Sequence, residues 1–168
     1  MLALALTVAL AATSLVRAQD NDTATVAAAF MNAGIVPDVL SSFAPVLPLL
    51  VTFKQADGSS IEVTAGMQLT IAQTANEPTF ALVSGNAAIQ GKPYLIAMVD
   101  PDAPTPQNTS ISQVRHFLAP DFVSDGPVAG TWPMTNRTPA LSEYMGPHPP
   151  DGSDAHRFVS PPLVHTMC

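Results

Sequence analysis

The chain has a single cysteine, the last of its 168 residues, so neither an intrachain disulfide nor a cysteine-based metal site is open to it. Charge is also scarce, at 11%, and positive charge most of all. Six Lys and Arg stand against thirteen Asp and Glu, giving a net charge of −7. A net anion lacks the electrostatic footprint that nucleic acid or an anionic membrane surface demands. Long apolar runs are missing too: MLALALTVALAA at residues 1–12 falls short of the roughly 20 residues that span a bilayer. No transmembrane anchor is expected. Proline, by contrast, is plentiful. Thirteen of the 17 prolines lie from Pro93 onward, which excludes a helical bundle for the second half.

The apolar start is followed by Val16-Arg17-Ala18, with branched and small residues at −3 and −1 of a cut before Gln19. That is the layout of a secretory signal peptide, so residues 1–18 are read as an address and residues 19–168 as one secreted domain. Secretion gives meaning to the Asn-x-Ser/Thr sequons at Asn21, Asn108 and Asn136, which become candidate glycosylation sites on the surface. With 47% apolar residues, a domain of this length can bury a core without disulfides.

Periodicity sets out the elements. Residues 23–33 suit a helix capped by Asp22 or Thr23 and closed by Gly34, after which Pro37, Pro45 and Pro48 forbid a long one. Alternation in Leu49-Val51-Phe53 and in Met67-Leu69-Ile71 predicts half-buried strands. Asp57-Gly58 predicts a hairpin joining residues 51–54 to 61–64. Residues 80–83 are a further strand. YLIAMV at 94–99 is apolar on both faces and is expected to be a central, fully buried strand, with residues 114–118 beside it. The spacing of strands and turns predicts a mainly β fold, a two-sheet antiparallel sandwich.

The polar residues gather after that apolar strand. Asp100-Pro101-Asp102-Ala103-Pro104 places two carboxylates on one side of an extended chain that the prolines stiffen. His116 sits in an apolar strand, where it could equally be a core histidine bonded to a carbonyl. A Gly/Pro-rich loop, GPHPPDGSDAHRF at residues 146–158, leads into His156-Arg157.

These three segments, DPDAPT at 100–105, RHFL around His116 and the loop to Phe158, resemble the phosphatidylethanolamine-binding protein family, as does the opening IVPDVL at 35–40. The resemblance covers about residues 35–159. The family includes Raf kinase inhibitor proteins, a yeast carboxypeptidase inhibitor and plant flowering regulators. The resemblance implies two antiparallel sheets with few short helices and a small surface cavity for phosphate or a phospholipid headgroup. By position it assigns ligand binding to Asp100, His116, Gly146, Pro149, Pro150 and His156, and support of the site to Asp102, Pro104 and Arg157. Phe158 stands where many members have Tyr. The family pattern runs on beyond Val159, whereas here residues 160–168 diverge, so the sandwich is expected to lack its C-terminal part. Pro161-Pro162 is expected to end the ladder.

The chemistry of the residues agrees with an anion site. Imidazoles, neutral or protonated, supply N–H donors at His116 and His156, and glycine turns add backbone N–H groups. Asp100 fixes an imidazole tautomer or binds an ammonium, and Asp102 pairs internally, with Arg157 or backbone. His116, His148 and His156 lack metal-ligand spacing, and no metal or other cofactor is expected. There is no G-x-S-x-G elbow, and the stretch from Gly85 to Lys92 fails as a phosphate loop by spacing and by Pro93. The expected function is noncatalytic anion or headgroup binding. The alternative is inhibition of a protease or signalling protein through a protein interface, which would make that protein the partner.

Overall fold

The computed structural model describes residues 22–160 and the backbone of residues 162–164. The leader at 1–18, the sequon at Asn21 and the cysteine at 168 lie outside the described residues. The order begins with α1 (Thr23–Asn32) and a short helical turn, α2 (Ile35–Asp38). Asp22 caps α1, accepting hydrogen bonds from the Ala24 and Thr25 amides, and its carboxyl lies below the usual value through its bonds to Thr25. Gly34 follows with φ +67°, the left-handed conformation that lets the chain leave the helix without a Cβ penalty.

Among the described residues, eight strands then form two four-stranded sheets. β1 (Leu49–Lys54), β2 (Ser60–Glu62), β3 (Thr79–Leu82) and β6 (Trp132–Pro133) make one, in the order β2-β1-β3-β6. β4 (Tyr94–Asp100), β5 (Val114–Val123), β7 (Thr135–Asn136) and β8 (Pro162–Val164) make the other, in the order β7-β5-β4-β8. Every described pairing is antiparallel. The Asp57-Gly58 hairpin forms as expected, with Gly58 at φ +86° and Phe53 opposite Ile61.

Apolar side chains from both sheets make the core, with Phe80, Leu82 and Trp132 from one and Ile96, Met98, Phe117 and Phe122 from the other. Phe80 meets Phe117 at 6.0 Å in a stacked arrangement and Phe122 at 5.5 Å edge-on. Buried Trp132 keeps its indole N–H satisfied on the Ser84 carbonyl. A second, smaller core holds Phe30 and Ile35 of the helical segment with Val159 and Val99. It fastens the N-terminal helices beside the end of β4.

Three expectations need correction. Residues 67–71 form no strand: the chain turns at Gly66, Ile71 is exposed, and a 3-10 turn follows at Ala72–Thr74. The alternation there had no partner strand to pair with, and period alone does not make a strand. β4 is central, but it is not buried on both faces. Its residues alternate between buried and half-buried, so Leu95, Ala97 and Val99 lie on a partly open face. The ladder also continues past Pro161, because Pro162–Val164 pairs with residues 94–96 of β4. β8 is an edge strand in this sheet, where a missing N–H is tolerated.

Removing the Phe117 side chain empties the space where the two sheets meet. Phe117→Ala is expected to cost about 3–5 kcal/mol. Ile71→Ala, in the segment that forms no strand, is expected to stay within about 0.5 kcal/mol. Urea unfolding of the two variants measures both.

Candidate functional site

β4 delivers Asp100 to the inside of the domain, and the backbone turn beyond it returns Asp102 to the same region. Both are 3% exposed and His116 4%. A buried carboxylate must be compensated, and each of these is. Asp100 Oδ1 accepts the Asp102 amide at 2.7 Å. Its Oδ2 accepts from His156 Nδ1 at 2.7 Å and lies 3.7 Å from His116 Nε2. Asp102 takes a bidentate grip from Arg157, Nε at 2.9 Å and Nη2 at 2.7 Å, plus the Arg157 amide at 2.8 Å.

Neighbouring backbone pairings bring these groups together. Val99 and Val159 exchange both hydrogen bonds, which lays residues 156–158 alongside the end of β4. Met145 donates its amide to the His116 carbonyl, so residues 144–146 run along β5. The chain passes close to a backbone at residue 146: a Cβ there would sit 3.2 Å from the Thr74 carbonyl, which also accepts the Tyr144 hydroxyl at 2.6 Å. Burial, with the Glu77 charge, pushes the Tyr144 phenol up to about 12, so it remains a donor.

The hydrogen bonds fix both imidazole tautomers. His116 Nδ1 lies 2.6 Å from the Met145 carbonyl, and a carbonyl only accepts, so Nδ1 carries the proton. His156 Nδ1 is likewise the donor to ionised Asp100. In the neutral form of either ring Nε2 therefore has no hydrogen. This corrects the expectation that neutral imidazoles supply N–H donors: their single protons are already committed. His156 Nε2 faces the Ser153 hydroxyl at 3.1 Å, and His116 packs its ring on Phe158 with centroids 4.3 Å apart.

Burial alone pushes the Asp100 carboxyl up, but His116, His156 and the Asp102 amide outweigh it and hold the group below its ordinary value. Asp102 is also raised by burial and then lowered further by Arg157. The Arg157 guanidinium is held above its usual range by Asp102, against burial, with help from Asp38.

The sequence-derived residues Asp100, Asp102, His116, His156 and Arg157 thus meet in one cluster. Gly146 lies in the adjoining chain against the Thr74 carbonyl, and the half-buried Pro104 lies in the loop after Asp102. Of the paired prolines, Pro149 is half-buried and Pro150 exposed, and the Pro150 carbonyl accepts the Ser153 amide at 3.1 Å. His148 is exposed and bonds the Gly146 carbonyl. Sequence reasoning missed the Met145 carbonyl and Ser153. It also missed the Asp38 carboxylate and Ala33 carbonyl that take Arg157 Nη1 at 2.9 and 3.0 Å. Backbone carbonyls leave no residue-type signal. Of the side chains, only Ser153, three before His156, was close enough in sequence to suggest itself. Asn108 is exposed, while Asn136 is half-buried in β7.

A separate cavity of about 290 Å³ is lined by Glu77, Asn136, Arg137 and Glu143 among others and touches none of this cluster. Burial, and then the Glu143 charge, pushes the Glu77 carboxyl up.

Residues 54–160 match the phosphatidylethanolamine-binding protein family. The chain belongs to that family. It is also 32% identical over 130 residues to a 26 kDa secreted antigen of Toxocara canis, a match covering 77% of this chain and 43% of the relative. The chain therefore spans less than half the length of that relative. In fold it is similar to a carboxypeptidase Y inhibitor solved with its cognate proteinase: TM-score 0.69, 24% identity, 84% of this chain and 72% of the other. A phosphatidylethanolamine-binding protein from Plasmodium vivax matches at TM-score 0.56 and 20% identity, covering 80% and 66%. The family match spans the whole Asp100–His116–His156 cluster, while the IVPDVL opening lies before it.

Asp102→Asn breaks the paired grip on Arg157 and is expected to destabilise the protein by about 3 kcal/mol, since it strands a partly buried guanidinium. The pH dependence has a definite sign. Asp100 and Asp102 titrate lower folded than unfolded, so their contribution is complete above the unfolded value near 3.8 and is lost as pH falls through the lower folded values. Urea midpoints measured from pH 6 down to pH 2.5 should fall below about pH 4, and fall less steeply in Asp102→Asn.

Proposed function

We propose that this phosphatidylethanolamine-binding family member is a secreted, noncatalytic binding protein. Its ligand is an oxyanion, either free phosphate or the phosphoryl group of a phospholipid headgroup, held at His156 in front of Asp100. The observation that carries the reading is the convergence of two buried imidazoles on one buried carboxylate at 2.7 and 3.7 Å. Purely structural compensation of Asp100 needs one such partner, and Asp102 shows the simpler solution with Arg157. The second imidazole and the Ser153 hydroxyl in front of His156 Nε2 give the site polar capacity that the fold alone does not use. The glycine and proline loop from Gly146, with Pro149 and Pro150, forms the rim. Secretion through residues 1–18 agrees with the secreted relative, and no helix among the described residues is long and apolar enough to cross a membrane.

A second reading, inhibition of a carboxypeptidase-type protease through a protein interface, draws on the fold shared with the carboxypeptidase Y inhibitor. Such an interface would lie on the surface outside the buried cluster, so the two readings separate by mutation.

Titration calorimetry at pH 6 with phosphate, phosphoethanolamine and acetate tests the first reading. Phosphate and phosphoethanolamine are expected to bind and acetate to bind at least tenfold more weakly. Tighter binding of phosphoethanolamine than of phosphate identifies the headgroup as the source. His156→Gln should weaken both by about 1.5–3 kcal/mol, the worth of a charge-assisted hydrogen bond. Inhibition of carboxypeptidase Y that survives His156→Gln would favour the second reading.

A further inference from the structure

Resting on the binding reading above, we propose that the anion enters this site together with one proton, carried by His156 Nε2, and that His116 positions the site without donating to the ligand. The tautomers carry the inference. With Nδ1 of each ring already donating, neutral His116 and His156 present only lone pairs at Nε2. An unprotonated oxyanion meeting a lone pair beside the Asp100 carboxylate is repelled. Adding a proton to His156 Nε2 reverses this, because Nδ1 stays on Asp100 and the new N–H points along the edge where Ser153 stands.

The same proton on His116 would have another fate. Its Nε2 faces Asp100 Oδ2 at 3.7 Å and its ring is covered by Phe158, so the added N–H serves the carboxylate rather than a ligand. The other charged groups described around the cluster are engaged elsewhere or exposed: Arg115, next to His116 on β5, is exposed and falls on the alternate face of the strand. Arg157 spends its side-chain donors on Asp102, Asp38 and the Ala33 carbonyl. Asp154 is an anion held by Gln107 at 2.6 Å, Asp151 is an exposed anion, and His148 Nδ1 turns back to the Gly146 carbonyl. Ser153 adapts to either state. Its Oγ lies 3.1 Å from His156 Nε2 and 3.0 Å from the Asp154 carbonyl. It gives its proton to the bare Nε2, or, once Nε2 is protonated, turns that proton to the Asp154 carbonyl and leaves the new N–H to the anion.

Sulfate is the probe, since it does not titrate near neutrality and any proton taken up belongs to the protein. Calorimetry at pH 7.5 in buffers of differing ionisation enthalpy counts that proton. The expected uptake approaches one per sulfate, with affinity falling about tenfold per pH unit between pH 7 and 8. His156→Gln should abolish the uptake and the slope, whereas His116→Gln should weaken binding and keep the uptake. In the unmutated protein, imidazole NMR at pH 7.5 should show His156 gaining a proton on sulfate addition while His116 does not, whatever the folding of the variants. Sulfate binding without proton uptake, or protonation of His116 in place of His156, overturns this inference and leaves the binding reading standing. No sulfate binding by folded protein anywhere from pH 5.5 to 8 overturns both.

Discussion

Two carboxylates enter the interior of this domain two residues apart, and much of the surrounding architecture consists of the groups that make this tolerable. An ionised carboxylate taken out of water loses several kcal/mol of solvation, which only opposing charge and well-aligned donors restore. Asp102 is met by the Arg157 side chain and amide, and Asp100 by His156, His116 and the Asp102 amide. His156 and Arg157 are consecutive, so one short stretch of chain answers both acids. The Val99–Val159 pairing that fixes this stretch also closes the smaller core around Phe30 and Ile35. Arg157 reaches onward to Asp38 and Ala33, which ties the N-terminal helices to the same point. Position 34 sits within this knot: a Cβ there would lie 3.3 Å from Arg157 Nη1.

The two acids nevertheless end in different situations. Asp102 is met by a permanent cation that grips both of its oxygens, which makes a structural joint. Asp100 is compensated by titratable rings, one closed in by Phe158 and a carbonyl, the other opening toward a serine and a glycine-proline loop. That asymmetry separates a joint from the site proposed here for an anion. Under that proposal a protein of net charge −7 holds an anion through local positive charge that depends on a proton instead of surface lysines.

Much of this was legible in the chain because the chemistry sits in compact segments. DPDAP, RHF and the run to HRF each carry their polar residues in fixed local geometry, and the strand pattern around them was strong enough to predict two antiparallel sheets. The misses have physical reasons. Alternation at residues 67–71 gave a strand period with no edge to pair with. Burial on both faces of β4 was inferred from apolar composition, but exposure of Leu95 and Ala97 depends on what covers the sheet. Pro161-Pro162 was read against a central ladder, whereas the chain returns at an edge. Most consequentially, the tautomers of His116 and His156 hinge on the Met145 carbonyl and on which Asp100 oxygen faces which ring. No residue type records either.

Anion binding as proposed here depends on the protonation of those two rings in the unliganded protein. Nitrogen-15 NMR of the imidazoles at pH 8 resolves it directly. Both His116 and His156 are expected to carry their proton on Nδ1, with Nε2 bare, and Asp100→Asn should release His156 from that preference while leaving His116 as it was. A proton on Nε2 of His156 at pH 8 would contradict the account, because the ring would then be a donor without any added proton.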